Sequence, residues 1–281
     1  MIATTLRQLA GVTAAAFATV ALAANARAAD ASPWQVDART GMRLIAASPT
    51  RAIAVRAGVE LALAPGWKTY WRYPGDSGVP PRFDFAGSQN VKSVTVAWPA
   101  PHRFSDESGV TIGYKDGVIF PLRIVPQDAA KPMLLRLTLD YAVCEKLCVP
   151  AQSSAELALD GEASSHDGAL DAAEAAVPTP AKLGDGAPLA VRAVHREPGD
   201  GHPRIVVDVA AKETPIDLFA EGPTADWALP VPEPADGASP GLHRFVFALD
   251  GLPPGARADG AVLTLTLKSG AKAIEVAAPL D

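Results

Sequence analysis

Cysteine is scarce in this chain: two residues, Cys144 and Cys148, among 281. A single pair can neither staple a disulfide-dense miniprotein nor complete a four-ligand structural zinc site by itself. Aromatics make up only 6% of the sequence, and no block of basic residues interrupts it. With a formal net charge of −6, nucleic acid is excluded as an expected partner. After the first 28 residues, no stretch approaches the ~20 apolar residues a membrane-crossing helix needs. What is plentiful is turn chemistry. With 23 Gly and 26 Pro, long helices are disfavoured and short strands joined by tight turns are favoured. A chain of this length forms one large or two ordinary domains with a real core, so the cysteines are not required to hold the fold.

Residues 1–28 read as a signal peptide. Arg7 is the only charge before an Ala/Val/Leu/Phe run from Leu9 to Ala24, and Ala26-Arg27-Ala28 supplies a small-x-small cleavage pattern near Ala28. Cleavage removes two arginines and no acid, leaving a more acidic protein outside the cytoplasm. In an oxidising compartment the Cys144–Cys148 pair is expected to close into a disulfide unless something reduces it.

Strand signals dominate the rest. Ile53, Val55, Val59, Leu61 and Leu63 alternate with Ala52, Ala54, Arg56 and Glu60, a period of two that fits one buried face. Val94 and Val96 follow, and Val118, Phe120, Leu122 and Ile124 repeat the pattern around Pro121, whose ring points to an edge strand. The clearest run is Met133, Leu135, Leu137, Leu139, Tyr141 and Val143. Residues 161–187 are rich in Ala, Asp, Gly, Ser and Pro, and read as a linker carrying one short helix, Gly168 to Val177, capped by Asp167. Further apolar runs at Leu189–Val194, Ile205–Val209, Phe245–Leu249, Leu263–Leu267 and Ile274–Val276 are separated by turn signals. The expected fold is all-β: two immunoglobulin-like antiparallel β-sandwich domains, residues 29–160 and 188–281, joined by that linker. The second contains no cysteine and no constellation of catalytic type; a spacer or docking role suits it.

The cysteines are four residues apart in Cys144-Glu145-Lys146-Leu147-Cys148. On a continuous strand that separation is about 13 Å, far beyond the ~5.5 Å between Cα atoms that a disulfide accepts. The chain therefore reverses between them, with Glu-Lys-Leu as a three-residue hairpin loop. If Met133 through Val143 point inward on odd numbers, Cys144 points outward with Arg136, Thr138 and Asp140, near solvent or under a movable cover. A bond closing so small a loop removes only roughly 2 kcal/mol of unfolded-chain entropy. Such a bond suits opening and closing better than holding structure. Lys146 favours thiolate and Glu145 opposes it, so the sequence does not rank the two as nucleophiles.

These residues carry a family resemblance. Tyr141-Ala-Val-Cys-Glu-Lys-Leu-Cys-Val-Pro150 resembles the redox hairpin of the N-terminal periplasmic domain of thiol:disulfide interchange proteins of the DsbD family, and more closely that of ScsB-type proteins. Gly66-Trp-Lys-Thr-Tyr-Trp-Arg-Tyr-Pro-Gly-Asp-Ser-Gly-Val-Pro-Pro81 is similar to the family's aromatic motif, and Gly113-Tyr-Lys-Asp-Gly-Val-Ile-Phe-Pro121 to its strand before the core. The three occur in the family's order.

The resemblance implies a periplasmic immunoglobulin-like redox domain. Its Cys144/Cys148 pair would take electrons from a membrane-embedded thiol transporter and pass them to thioredoxin-like or other disulfide-containing proteins. It also implies Cys148 as the partner-bonding sulfur and Cys144 as the resolving one, with no cofactor and no metal. Asp106 and Glu107 match the family's acidic residues near the cysteines, and Trp67 and Tyr70 fall in its aromatic motif. The aromatic residue of the family's cap loop is replaced here by Ser108-Gly109; either Phe104 serves as a substitute lid or the pair is less shielded. Family members carry a transmembrane section and a thioredoxin-like domain on the same chain, so the transporter is expected on a separate one. Two other readings stand beside the relay: a non-enzymatic envelope-binding module whose disulfide clips a hairpin, and a copper-tolerance-linked dithiol protein.

Overall fold

The computed structural model describes residues 29–50, 52–75, 78–106, 109–161, 163–199 and 201–280. The expected leader, residues 1–28, lies outside this set, as does Glu107. The first part of the chain comprises β1 (Gln35–Val36), β2 (Thr40–Ala46), β3 (Val55–Leu63), β4 (Lys68–Gly75), β5 (Arg82–Asp84), β6 (Val91–Val96), β7 (His102–Asp106), β8 (Gly109–Lys115), β9 (Gly117–Pro126), β10 (Met133–Cys144) and β11 (Cys148–Leu159). They form two antiparallel sheets, one in the order β1-β2-β3-β9-β6 and the other β11-β10-β4-β8-β7, with β5 also on β10. The alternating run on β10 is buried at every odd position from Met133 to Val143. Each of its leucines contributes roughly 1.5–3 kcal/mol relative to an exposed position. Phe120, Leu122 and Ile124 of β9 and Val59 and Leu61 of β3 join the same core.

Helix α1 (Asp167–Ala175) leads to the second part, which comprises β12 (Thr179–Ala181), β13 (Ala190–Glu197), β14 (Arg204–Ala210), β15 (Ile216–Glu221), β16 (Glu233–Ala235), β17 (His243–Ala248), β18 (Val262–Ser269) and β19 (Lys272–Pro279). Its two sheets run β12-β19-β18-β15 and β13-β14-β17-β16 around a second core. All pairings are antiparallel except β12 with β19. Two β-sandwiches with one short helix among the described residues are thus the architecture, as the alternation and turn content predict.

Several details differ from expectation. Pro121 is not on an edge, because β9 lies between β3 and β6. It faces Gly58 across β3, and its carbonyl accepts from Ala97, one residue beyond the last β6 pair, Val96–Leu122. The missing N–H therefore falls where the β6 ladder has ended. Ile53 precedes β3 and is 81% exposed, so the buried alternation starts after it. The helix starts at Asp167 with His166 as its N-cap, and Asp167 instead accepts a 2.8 Å bond from the Ser48 backbone.

The segment expected to be a linker is packed down at both ends. Leu170 of α1 is fully buried against Ile45 and Ala47. Gly58 makes room for it, since a Cβ there would stand 2.8 Å from a Leu170 methyl. Arg56 pairs with Asp171 and Glu174 on the helix. At the far end, Thr179–Ala181 already form β12 of the second sandwich.

The sandwiches share a substantial interface. Phe219 and Val231 of the second pack into the core of the first, and the ring of Trp71 lies 5.7 Å from that of Phe219. Arg72 pairs with Glu221 and Glu275, and Arg103 with Asp217 and Glu233. Lys268, which is buried, donates to the Pro101 carbonyl and lies 3.2 Å from His102.

Candidate redox site

The site grows from the closed end of the β10–β11 hairpin. Its ladder is in register from Met133–Leu159 down to Cys144–Cys148, leaving Glu145, Lys146 and Leu147 as the three-residue loop the spacing requires. The two sulfurs are 2.6 Å apart. At that separation the hairpin holds the two sulfurs within reach of a bond between them, the arrangement that a dithiol and a disulfide can share. As parity predicts, Cys144 faces away from the core. It is half-buried, while Cys148 is exposed.

Strand β4 braces this end. Lys68 pairs with Cys144 and Thr69 with Val143. Thr69, fully buried, donates its hydroxyl to the Ala142 carbonyl at 2.9 Å. The next residue, Tyr70, is buried and places its hydroxyl oxygen 2.7 Å from Cys148 Sγ. Two glycines set that ring. Gly113 on β8 pairs with Tyr70, and a Cβ there would stand 2.0 Å from the Thr69 carbonyl oxygen, so only glycine lets β8 approach so closely. Gly78 lies against the Tyr70 ring, where a Cβ would come within 2.6 Å of its carbons.

The electrostatics follow from this packing. Burial pushes the Cys144 thiol above its ordinary pKa, and the hydrogen bond to Cys148 adds to it. The Tyr70 hydroxyl and the Lys68 ammonium oppose the shift. Burial, followed by the neighbouring thiols, holds the Tyr70 phenol far above its usual value. Tyr70 therefore keeps its proton and can donate it in a hydrogen bond to a thiolate. Lys68 supplies positive charge on the strand beside Cys144, with its ammonium 5.4 Å from the centre of the Phe104 ring. Among the described residues, no group of three or more Cys, His, Asp or Glu side chains could hold a metal ion.

Of the residues singled out from sequence, Cys144, Cys148 and Tyr70 come together. Phe104 sits on β7, half-buried beneath the Lys68 ammonium. Trp67 packs against the first core with the Arg39 guanidinium 6.0 Å from its ring, a structural rather than a sulfur-facing place. Asp106 pairs with Gly109 at the end of the β7–β8 ladder; its side chain, like Glu107, is outside the described set. Lys68, Thr69, Gly78 and Gly113 were not singled out. Gly113 carried a usable signal, since Gly inside a strand pattern marks close backbone approach.

No helix among the described residues is long and apolar enough to cross a membrane. Residues 43–160 match the family described as thiol:disulfide interchange protein DsbD, N-terminal. The fold is similar to the crystal structure of the N-terminal periplasmic domain of ScsB from Proteus mirabilis, with a TM-score of 0.70 and 21% identity over 89% of this chain and 98% of that one. No curated protein sequence matches the chain.

Proposed function

We propose that this chain, whose residues 43–160 belong to the DsbD N-terminal domain family, is a periplasmic thiol–disulfide exchange protein. It relays reducing equivalents from a membrane thiol transporter to disulfide-containing proteins. One observation carries the reading: two sulfurs 2.6 Å apart at a hairpin tip, the outer one exposed and within hydrogen-bond reach of a protonated tyrosine. In the reduced form, Cys148 loses its proton to solvent and its thiolate attacks one sulfur of the partner's disulfide. The other partner sulfur leaves as a thiolate and is protonated. Cys144, deprotonated in turn, attacks Cys148 Sγ, closing the Cys144–Cys148 disulfide and releasing the partner as a dithiol. Two electrons pass to the partner, and the transporter's dithiol restores the pair by the reverse sequence.

Exposure supports Cys148 as the attacking sulfur, and partial burial with a raised pKa supports Cys144 as the resolving one. Exposed apolar side chains at Leu147, 79% accessible, and Val79, 51%, offer contact area to a partner. Trapping tests the reading directly. A Cys144→Ser variant, unable to resolve, should accumulate a mixed disulfide through Cys148 with periplasmic proteins, and a Cys148→Ser variant should not. If neither captures a partner, or if the pair's potential lies well below about −300 mV, as for an inert structural bond, the relay reading is wrong.

A further inference from the structure

Strand β4 leaves its ladder immediately after the residue that touches the sulfur. Tyr70 pairs with Gly113 of β8, and the next pair along is Gly75 with Thr111. Residues 71–74 thus stand opposite Ile112 alone and bulge away from β8. The second sandwich holds them instead. Trp71 packs on Phe219 of β15. Arg72 grips Glu221 of β15 through both Nε and Nη2, and its Nη2 also reaches Glu275 of β19. Tyr73 donates its hydroxyl to the Leu229 carbonyl, in the loop before β16. Three consecutive side chains after Tyr70 therefore end on the other domain.

The Arg72 cluster is suited to fixing position. Burial works against its charge, and the carboxylates of Glu221 and Glu275 outweigh that cost, leaving the guanidinium more firmly protonated than usual. A planar fork bound at two points to one carboxylate sets orientation as well as distance. A strand displacement of about 1 Å stretches the 2.7 Å hydroxyl–sulfur contact to the long end of the range for a bond to sulfur and so weakens the donation to Cys148.

We propose that the second sandwich is the positioning element for Tyr70, with Arg72 as the positioning residue, so that the reactivity of Cys148 depends on the Arg72–Glu221–Glu275 cluster across the domain interface. This deepens the exchange function proposed above and rests on it for its biological meaning. Its physical content is the coupling between an interface ion cluster and a thiol.

The test uses the full chain carrying Cys144→Ser, reduced, with iodoacetamide alkylation of Cys148 followed across pH. Tyr70→Phe should move the rate profile to higher pH and slow alkylation near neutrality by about three- to tenfold, because a donor to the thiolate is gone. Glu221→Gln should shift the profile in the same direction by a smaller factor, and Arg72→Lys, which keeps the charge but loses the fork, should shift it less than Arg72→Gln. In a Tyr70→Phe background, Glu221→Gln should add nothing. Tyr73→Phe, which removes one interface hydroxyl, takes the place of Glu221→Gln if that variant does not fold. The proposal is overturned if Tyr70→Phe leaves the profile unmoved, if the interface variants leave it unmoved, or if they slow alkylation by the same factor with and without the Tyr70 hydroxyl. Alkylation needs no partner, so failure to trap one would sink the relay and leave this coupling standing.

Discussion

Replacing Gly113 by alanine puts a methyl group where strand β4 already runs. The new Cβ would stand 2.0 Å from the Thr69 carbonyl oxygen and 3.0 Å from both the Thr69 carbonyl carbon and Tyr70 Cα, against the ~3.5–4.0 Å of an ordinary contact. All three atoms are main chain, so no rotamer change relieves the clash. On its other side β4 is tied to β10 through the Lys68–Cys144 and Thr69–Val143 pairs, so it yields by separating from β8. Losing two ladder bonds at about 1 kcal/mol each, with about 1–3 kcal/mol for overpacking, gives ~3–5 kcal/mol of destabilisation. Urea unfolding of the reduced protein, read by tryptophan fluorescence, to which buried Trp71 contributes, should show a transition moved to lower denaturant with its slope preserved. The same displacement carries Tyr70 from Cys148, so alkylation of Cys148 should slow as well. A change below about 0.5 kcal/mol, the range of ordinary surface substitutions, together with an unaltered alkylation rate, would refute the close-approach reasoning.

Two further outcomes follow from the packing and the charges. Leu170→Ala empties the seat of α1 over Gly58, Ile45 and Ala47 and should cost about 2–5 kcal/mol, with faster proteolysis of the 161–178 segment; unchanged proteolysis would mean that the helix is not held by this side chain. Because burial holds the Cys144 thiol above its ordinary pKa in the folded protein, the folded reduced protein binds this proton more tightly than the unfolded chain. The resulting stability is complete below the ordinary thiol range and is lost as pH rises through and beyond it. Urea midpoints between pH 7 and 10 should fall more steeply for the native pair than for Cys144→Ser, and a parallel pair of curves would contradict the assignment.

The sequence displayed most clearly those parts of the fold that bury one face only. On β10 the odd residues from Met133 to Val143 meet the core while Arg136, Thr138 and Asp140 do not, and the period of two is plain. Strands covered on both sides lose that signature. β2, with α1 packed outside Ile45, is buried at Thr40, Gly41, Met42, Leu44 and Ile45. β15 is buried at Leu218, Phe219 and Ala220 because Phe219 enters the other domain. Within the site, the cysteine spacing and the Tyr70 motif were local features and could be read. The Tyr70–Gly113 approach depends on register between strands distant in sequence. The meeting of Arg72 with Glu221 and Glu275 joins residues with no shared local pattern.

The hairpin itself bears on why two cysteines stand at its end. Twelve consecutive residue pairs lock β10 to β11, and inward leucines, Thr69 and the β4 pairs hold the closed end from the other side. A bond across the tip closes a loop of three residues and adds only roughly 2 kcal/mol on the chain-entropy model, to a segment already fixed by its own register. The fold therefore needs neither the bonded nor the unbonded state, which is the condition a pair must meet to cycle between them without unfolding its domain. What the surrounding residues do add is specific to thiolate chemistry: a phenol that stays protonated at 2.7 Å from the exposed sulfur, an ammonium on the adjacent strand, and a second domain gripping the three residues that follow the phenol. A structural clip would gain nothing from these groups, whereas an exchanging pair uses each of them to hold a thiolate ready at the surface.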